Sequence, residues 1–417
     1  MYRSDCTSLV FAKGCENMLK KLGIAVPVLL CVMAFTGYLL IKGSIPDEVN
    51  VVRGKKQEKF SLNLPMVEQR TVEAGSREKS NIPEGEVKIS CSLLGVIPIK
   101  DIHVNLVEEK QVIPGGEAIG IYMKTRGILV VGSGTVSGMD GLDYEPALDV
   151  VQSGDYINSV NGVPVKSKEE LMELVNKSGG EELVLDVQRN GEATSLKLSP
   201  VRTGKEEYKL GIWVRDDTQG IGTLTYIDKE KHFGALGHGI SDIDTGGLLA
   251  LSGGTLYHTD ILSVTKGERG VPGELSGVIR YREEEKLGDI GENTEEGIFG
   301  TVNGQMEEIA AAAAPVEIAY KQEVEEGPAV ILCAVDGTVR EYQAEIEKIY
   351  LNSQDANKSM VIRVTDPKLL ERTGGIVQGM SGSPILQNGK LIGAVTHVFI
   401  QDATSGFGIF IENMLGH

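Results

Sequence analysis

The chain has 417 residues, 41% hydrophobic and 24% charged, and this length is too great for one ordinary core, so two or three domains are expected. A net charge of −18 excludes the basic surface that nucleic-acid binding needs in order to displace counterions. Five cysteines with no CxxC pair and no Cys/His cluster signal neither a zinc site nor a disulfide framework, and 52 glycines between short apolar runs point to tight turns and β-structure.

Leu22 to Ile41 is an apolar run of about twenty residues, enough to cross a bilayer as a helix. Lys13, Lys20 and Lys21 precede it, so the positive-inside rule keeps residues 1–21 in the cytoplasm and sends the remainder across. A cleaved signal peptide has a shorter apolar core and ends at a small-x-small site. Here Gly37-Tyr38-Leu39 continues into Leu40, Ile41 and Lys42, which favours an uncleaved transmembrane anchor over 22–41. Cys6 and Cys15 stay on the cytoplasmic side, and Leu30 before Cys31 is too bulky for a lipoprotein site. Cys91 and Cys333 lie beyond the membrane, and sequence alone does not say whether they pair.

Residues 42–85 are polar, with Lys55-Lys56-Gln57-Glu58-Lys59 and scattered Pro, Gly and Ser. They read as a flexible, exposed linker that is easy to cut. Residues 86–107 read as two strands. From 108 to 200 a strand pattern ending in Gly127-Ile128-Leu129-Val130-Val131 is followed by Pro146-Ala147, Gly154-Asp155-Tyr156-Ile157, Val160-Asn161-Gly162, a helix from Lys168 to Lys177, the strand Glu182–Val187 and a turn at Asn190-Gly191. This order resembles a PDZ domain. Such domains offer a loop of backbone N–H groups to a peptide carboxylate, and the peptide then adds as a strand. The matching loop is Ala118, Ile119, Gly120 and Ile121, which departs from the usual Gly-Leu-Gly-Phe. Peptide C-termini or internal segments are the expected ligands.

From 201 to 417 short strand-like runs separated by turns (Leu210–Val214, Val316–Tyr320, Ala329–Leu332, Met360–Val364) fit an antiparallel β-barrel or sandwich. The five alanines Ala310 to Ala314, ended by Pro315, read as a short helical turn or a packed linker.

A serine hydrolase needs a hydroxyl, a base for its proton, and donors for the oxyanion. Gly379-Met380-Ser381-Gly382-Ser383-Pro384 has the Gly-x-Ser-Gly-x-Pro form of chymotrypsin-like proteases. Its first serine, Ser381, aligns as nucleophile, and its glycines let the N–H groups of Gly379 and Ser381 converge on one oxygen. By itself such a six-residue string is more often an ordinary turn. Six histidines can supply the base. His417 is the last residue, His103 precedes the PDZ-like stretch, and His258 and His397 read as strand residues. His232 and His238 remain, and His238 in Gly234-Ala235-Leu236-Gly237-His238-Gly239 is set between glycines that can present it at a turn. The acid is open among Asp242, Asp244, Asp289, Asp336 and Asp366. Asp366 closes the apolar strand from Met360, and its plainer role is an Asp-Pro turn.

The stretches GALGHGISDIDTG and TGGIVQGMSGSPILQNGKLIGAVTHVF closely resemble the stage IV sporulation protein B peptidases of endospore-forming bacteria. The resemblance runs from anchor through PDZ domain to protease. It carries the triad onto His238, Asp366 and Ser381, with no metal and no cofactor. It implies a mainly β fold with a chymotrypsin-like antiparallel β-barrel protease domain over 201–417. It also implies export into the space between forespore and mother-cell membranes, self-cleavage near the anchor within 43–85, and release. The implied partners are the chain itself and a membrane-bound regulator. Cutting that regulator frees a membrane metalloprotease to process pro-sigma-K. An envelope quality-control protease of the HtrA type is a competing reading, but there the PDZ domain follows the protease. A PDZ adaptor with a dead protease domain is the non-enzyme alternative.

Overall fold

The computed structural model describes residues 26–53, 66–73, 87–306 and 313–417. It forms two units, one built from residues up to Glu108 with Tyr350–Asn352, the other from Glu109–Ile349 and Ser353–His417.

In the first unit helix α1, Val26–Ser44, has 19 residues and is long and apolar enough to cross a membrane. It extends past the expected end at Ile41, and residues 22–25 lie outside the described part. Strands β1 (Glu48–Val52), β2 (Val67–Glu73), β3 (Val87–Leu93) and β4 (Ile97–Val107) follow, in the sheet order β1-β4-β3-β2. Alternate residues Val49 and Val51 of β1 are buried beside Ile89, Cys91, Ile99 and Ile102, the period-two pattern of a half-buried sheet. This corrects the expectation of a linker throughout 42–85: two of its segments are strands. Residues 54–65 and 74–86 lie outside the described residues, and much of the expected cutting region lies there.

The second unit begins its main sheet with β5 (Ala118–Ser133) and continues through β6 (Tyr156–Val160), helix α2 (Lys168–Lys177), β7 (Leu183–Arg189) and β8 (Glu192–Leu198). It returns along β9 (Ile212–Ile227), then β10 (His232–Ala235), β11 (Leu251–Thr265), β12 (Glu274–Ile279), β13 (Lys286–Thr294) and β14 (Gly297–Val302). Because β5 also pairs with β9, the strands β5-β11-β13-β14-β10-β9 close into a barrel. A second closed barrel is made of β15 (Gly327–Cys333), β16 (Arg340–Ile349), β17 (Met360–Val364), β18 (Pro384–Gln387), β19 (Lys390–Phe399) and β20 (Asp402–Phe410), with helix α3 (Pro367–Thr373) after β17. The alanine run lies mostly outside the described residues.

The 16-residue strands β5 and β9 pair along nearly their whole length and serve two cores. Ile119, Ile121 and Met123 point into the first barrel. Past Gly127, at φ +87°, the buried phase switches, and Ile128 and Val130 point instead into the core of the PDZ module with Ile157, Leu171 and Leu185. A Cβ on Gly127 would meet the Ile157 carbonyl at 2.9 Å, so a glycine is required where the strand changes faces. The module's helix α2 starts where expected, capped by Ser167, whose Oγ accepts from Glu170 N. Fully buried Asp155 is held by Arg189 through two bonds of 2.7 and 2.6 Å.

The PDZ module is thus nested inside the first barrel, between β5 and β9, rather than preceding the protease with a boundary at 200. Ala118, Ile119, Gly120 and Ile121, expected to form its carboxylate loop, are a barrel strand. One edge pairs with Gly220–Thr223 and the other, over Ile119–Ile121, with Leu256–His258. Their N–H groups are therefore committed to the ladders and are not offered to a peptide. Ile121→Ala should lower stability by about 2–5 kcal/mol in urea unfolding, as for a core isoleucine. A loss within about 0.5 kcal/mol would return this segment to the surface.

Candidate active site

The cleft between the barrels receives one side chain from each. His238 sits three residues past β10, where Leu236 and Gly237, both at φ +71°, turn the chain out of the barrel. Gly237 packs against Thr396 and Ile409 of the second barrel, where a Cβ would lie 3.1 and 3.0 Å from their methyl groups. His238 Nδ1 is 2.8 Å from Gly239 O. Beyond it the loop is pinned twice. Asn293 accepts from Ile240 N at 2.8 Å and donates to the Ile240 and Leu249 carbonyls at 2.9 and 3.0 Å. Arg215 bonds buried Asp242 and, at 2.8 Å, Asp244.

Ser381 lies on the loop between α3 and β18. Its Oγ donates to Thr396 O at 2.8 Å. The loop is fastened to the first barrel by β9. Thr223 N donates to Ser381 O at 3.0 Å, Thr223 Oγ1 to Gly379 O at 2.8 Å, and Thr225 Oγ1 to Gly382 O at 2.8 Å. Gly382, at φ +93°, has no room for a side chain: a Cβ would lie 2.1 Å from Thr223 O and 2.5 Å from Leu236 N. Among the described residues the N–H groups of Gly379 and Ser381 have no internal acceptor. With the Gly379 carbonyl held back by Thr223, both donors remain available to an oxyanion.

The cleft encloses about 400 Å³ and is lined by Gly379, Ser381, His238, Thr396 and His397 together with apolar residues such as Ile221, Ile376 and Val398. Among the described residues, no ionisable side chain lines it apart from the two imidazoles. Burial pushes His238 below the ordinary histidine value, and its bond to Gly239 O offsets this in part. The His397 ring lies 4.9 Å from that of His238, tilted by 35°. Its pKa falls to about 4 through lost hydration first, then the neighbouring His238 and Lys358.

Sequence reasoning read His397 as a plain sheet residue, yet it stands in the cleft. The signal was its place in the apolar run that returns past the serine. Asn293, Arg215 and Thr223 had no local signal, because each acts across a long loop. Asp366, the expected acid, makes no hydrogen bond to His238 in this structure. Its Oδ1 accepts from Lys368 N and Leu369 N at 2.9 and 3.1 Å as the N-cap of α3, and its Oδ2 accepts from Gln343 N. A Pro at the first helical position makes capping the dominant demand on that carboxylate. Asp242 and Asp244 pair with Arg215, and Asp336 pairs with Arg340. Among the described residues no carboxylate bonds His238. The remaining histidines lie elsewhere: His232 beside Asp228, His258 on β11, His417 stacked on Phe299, and His103 on β4. Cys91 and Cys333 are buried free thiols.

A hydroxyl, a neutral imidazole and two unclaimed N–H donors in one uncharged cleft are the parts for nucleophilic acyl transfer. Two outcomes follow. Thr223→Val releases the Gly379 carbonyl, and fluorophosphonate labelling of Ser381 should slow by about 10–100-fold while circular dichroism stays unchanged. His238, with its pKa lowered from 6.5, stays neutral and able to accept a proton below that pH. The acid limb of the labelling rate should therefore lie below 6.5, and a limb above it contradicts the burial.

The family described as SpoIVB peptidase S55 matches residues 206–415, half of the chain and both sides of the cleft. Zinc metalloprotease RasP of Shouchella clausii (strain KSM-K16) is 40% identical over 84 residues, 19% of this chain; the chain spans a fifth (20%) of that curated relative. Among solved structures, the PDZ domain of the SdrC-like protein of Listeria monocytogenes shares 21% identity over 21% of this chain and 87% of its own, with a TM-score of 0.17. The active form of the Rv3671c protease of M. tuberculosis shares 15% identity over 48% of this chain and 74% of its own, with a TM-score of 0.29. The half-chain match to the family, spanning His238 through Ser381, means that this chain belongs to the SpoIVB peptidase S55 family of serine peptidases.

Proposed function

We propose that the chain is a self-cleaving serine endopeptidase of sporulation signalling. Ser381 Oγ attacks the scissile carbonyl as His238 takes its proton. The oxyanion settles between the N–H groups of Gly379 and Ser381, and His238 then returns the proton to the leaving amine. Water reverses the sequence on the acyl-enzyme. The observation that supports this best is the uncharged cleft in which His238 and Ser381 meet from separate barrels, with both N–H groups unclaimed.

The anchor supports a topology with the N-terminus in the cytoplasm and the catalytic unit in the space between the forespore and mother-cell membranes. A cut within 43–85 then releases the enzyme. Its substrates are itself and a membrane-bound regulator of a metalloprotease that processes pro-sigma-K, and the PDZ module takes part in binding peptide segments of these partners. Mass spectrometry of the purified full-length chain should find fragments ending within 43–85 for wild type and none for Ser381→Ala. Identical, intact masses for the two would end the self-cleavage reading.

A further inference from the structure

Strand β9 runs from the PDZ module to the nucleophile loop, and one of its two edges is open for much of the way. β5 pairs with the first edge from 212 to 223. The second edge pairs with a strand, β10, only over 224–227. Which backbone groups face that second edge follows from the register. Gly134 N donates to Gly211 O at 2.8 Å, which turns Gly211 toward β5 and Ile212 away from it. Val130, opposite Val214, bonds Asp155 O and Gly154 N at 2.8 and 2.9 Å, so Val214 also faces away from β5. Among the described residues the N–H groups of Ile212 and Val214 have no internal acceptor. Helix α2 is pinned beside this edge at both ends. Asn176 Oδ1 accepts from Tyr208 N at 2.9 Å, and Lys168 donates to Asp216 through N at 2.9 Å and Nζ at 3.1 Å. Leu174 of α2 and Ile212 and Val214 of β9 stay half-buried on the module's core, an apolar furrow with open donors along one wall. Next along β9 is a polar pocket of about 320 Å³, lined by Arg215, Asp217, Thr218, Gln219 and Asp242. Thr218 and Gln219 also line the catalytic cleft, followed by Gly220 and Ile221. Furrow, pocket and cleft thus lie in a row along one strand.

We propose that the substrate lies along this row as one extended polypeptide, cut at Ser381 and docked beside α2 by the residues that follow the scissile bond. This rests on the reading of Ser381 as the nucleophile of an endopeptidase. Open N–H groups on a strand edge take an extended backbone, and half-buried apolar side chains beside them take alternate apolar residues of that backbone. The occupant is the chain being cut, because the furrow continues through the polar pocket into the cleft. An added strand runs antiparallel to β9, the more stable pairing. Its later residues then lie at Ile212 and its earlier ones reach Ile221 and Ser381, so the cut precedes the docked segment. The stretch from Ile212 to Ile221 spans about 30 Å at the rise of a strand. A substrate therefore needs about eight residues after the cut before it can enter the furrow.

The test is digestion of a library of proteome-derived peptides by the full chain, read by mass spectrometry against the same digest by Ser381→Ala. Wild-type cuts should be enriched at least about tenfold where about eight or more residues follow them, with no matching demand on the residues before the cut. Leu174→Arg puts a charge into the furrow and should remove the enrichment. Cuts that fall as freely within about five residues of a peptide's C-terminus overturn the proposal. A demand for length before the cut instead does so too, since it means a chain laid parallel to β9. Enrichment that survives in folded Leu174→Arg also overturns it; should that variant not fold, the wild-type distribution decides alone. If wild type and Ser381→Ala give the same fragments, the nucleophile reading itself fails, and the docking of the downstream segment fails with it.

Discussion

Two threonines on one strand hold the active site together. Thr223 and Thr225 face the second barrel from β9 and bind three successive parts of the nucleophile loop: the carbonyls of Gly379, Ser381 and Gly382. Each bond satisfies a carbonyl that would otherwise lie open at the barrel interface, where an orphaned acceptor costs about 1–3 kcal/mol. Their combined effect is geometric. They turn the carbonyls toward the first barrel and leave the N–H groups facing the cleft. Gly382 is the counterpart of this contact, since no residue with a side chain could approach β9 so closely.

Since β9 carries these threonines, whatever aligns β9 aligns the site. The strand runs antiparallel to β5 through both the barrel and the PDZ module. Within a few residues it holds helix α2, through Asp216 to the backbone N–H and ammonium of Lys168, and the histidine loop, through Arg215 to Asp242 and Asp244. Nesting the module between β5 and β9 therefore makes it a continuation of the catalytic barrel's own strands.

The electrostatics of the cleft follow from its lining. Apolar residues and two imidazoles leave little to stabilise a cation, so both histidines titrate low. A neutral His238 is the form that can take a proton from serine. The carboxylate that the family resemblance places in the triad caps the first turn of α3, where its two oxygens satisfy three backbone N–H groups.

Much was legible in the amino-acid order because it depends on neighbours in sequence. The apolar length of α1, the period-two strands, the capped helix at Lys168 and the Gly-x-Ser-Gly turn at Ser381 are all local patterns, and so is the glycine-flanked turn at His238. What local pattern could not decide was which core each strand serves. Ala118–Ile121 reads the same as a PDZ loop or as a barrel strand, and only the ladders on both its edges distinguish them. Likewise Asp366 has the sequence of both a strand-end acid and a helix cap, while His397 and Thr223 acquire roles only when segments far apart in sequence are brought together. The chain by itself determined the chemistry available, a serine in a tight glycine turn and a histidine presented by another. The tertiary structure decided which polar groups meet, because hydrogen bonds across two barrels depend on closure and register that no local pattern encodes.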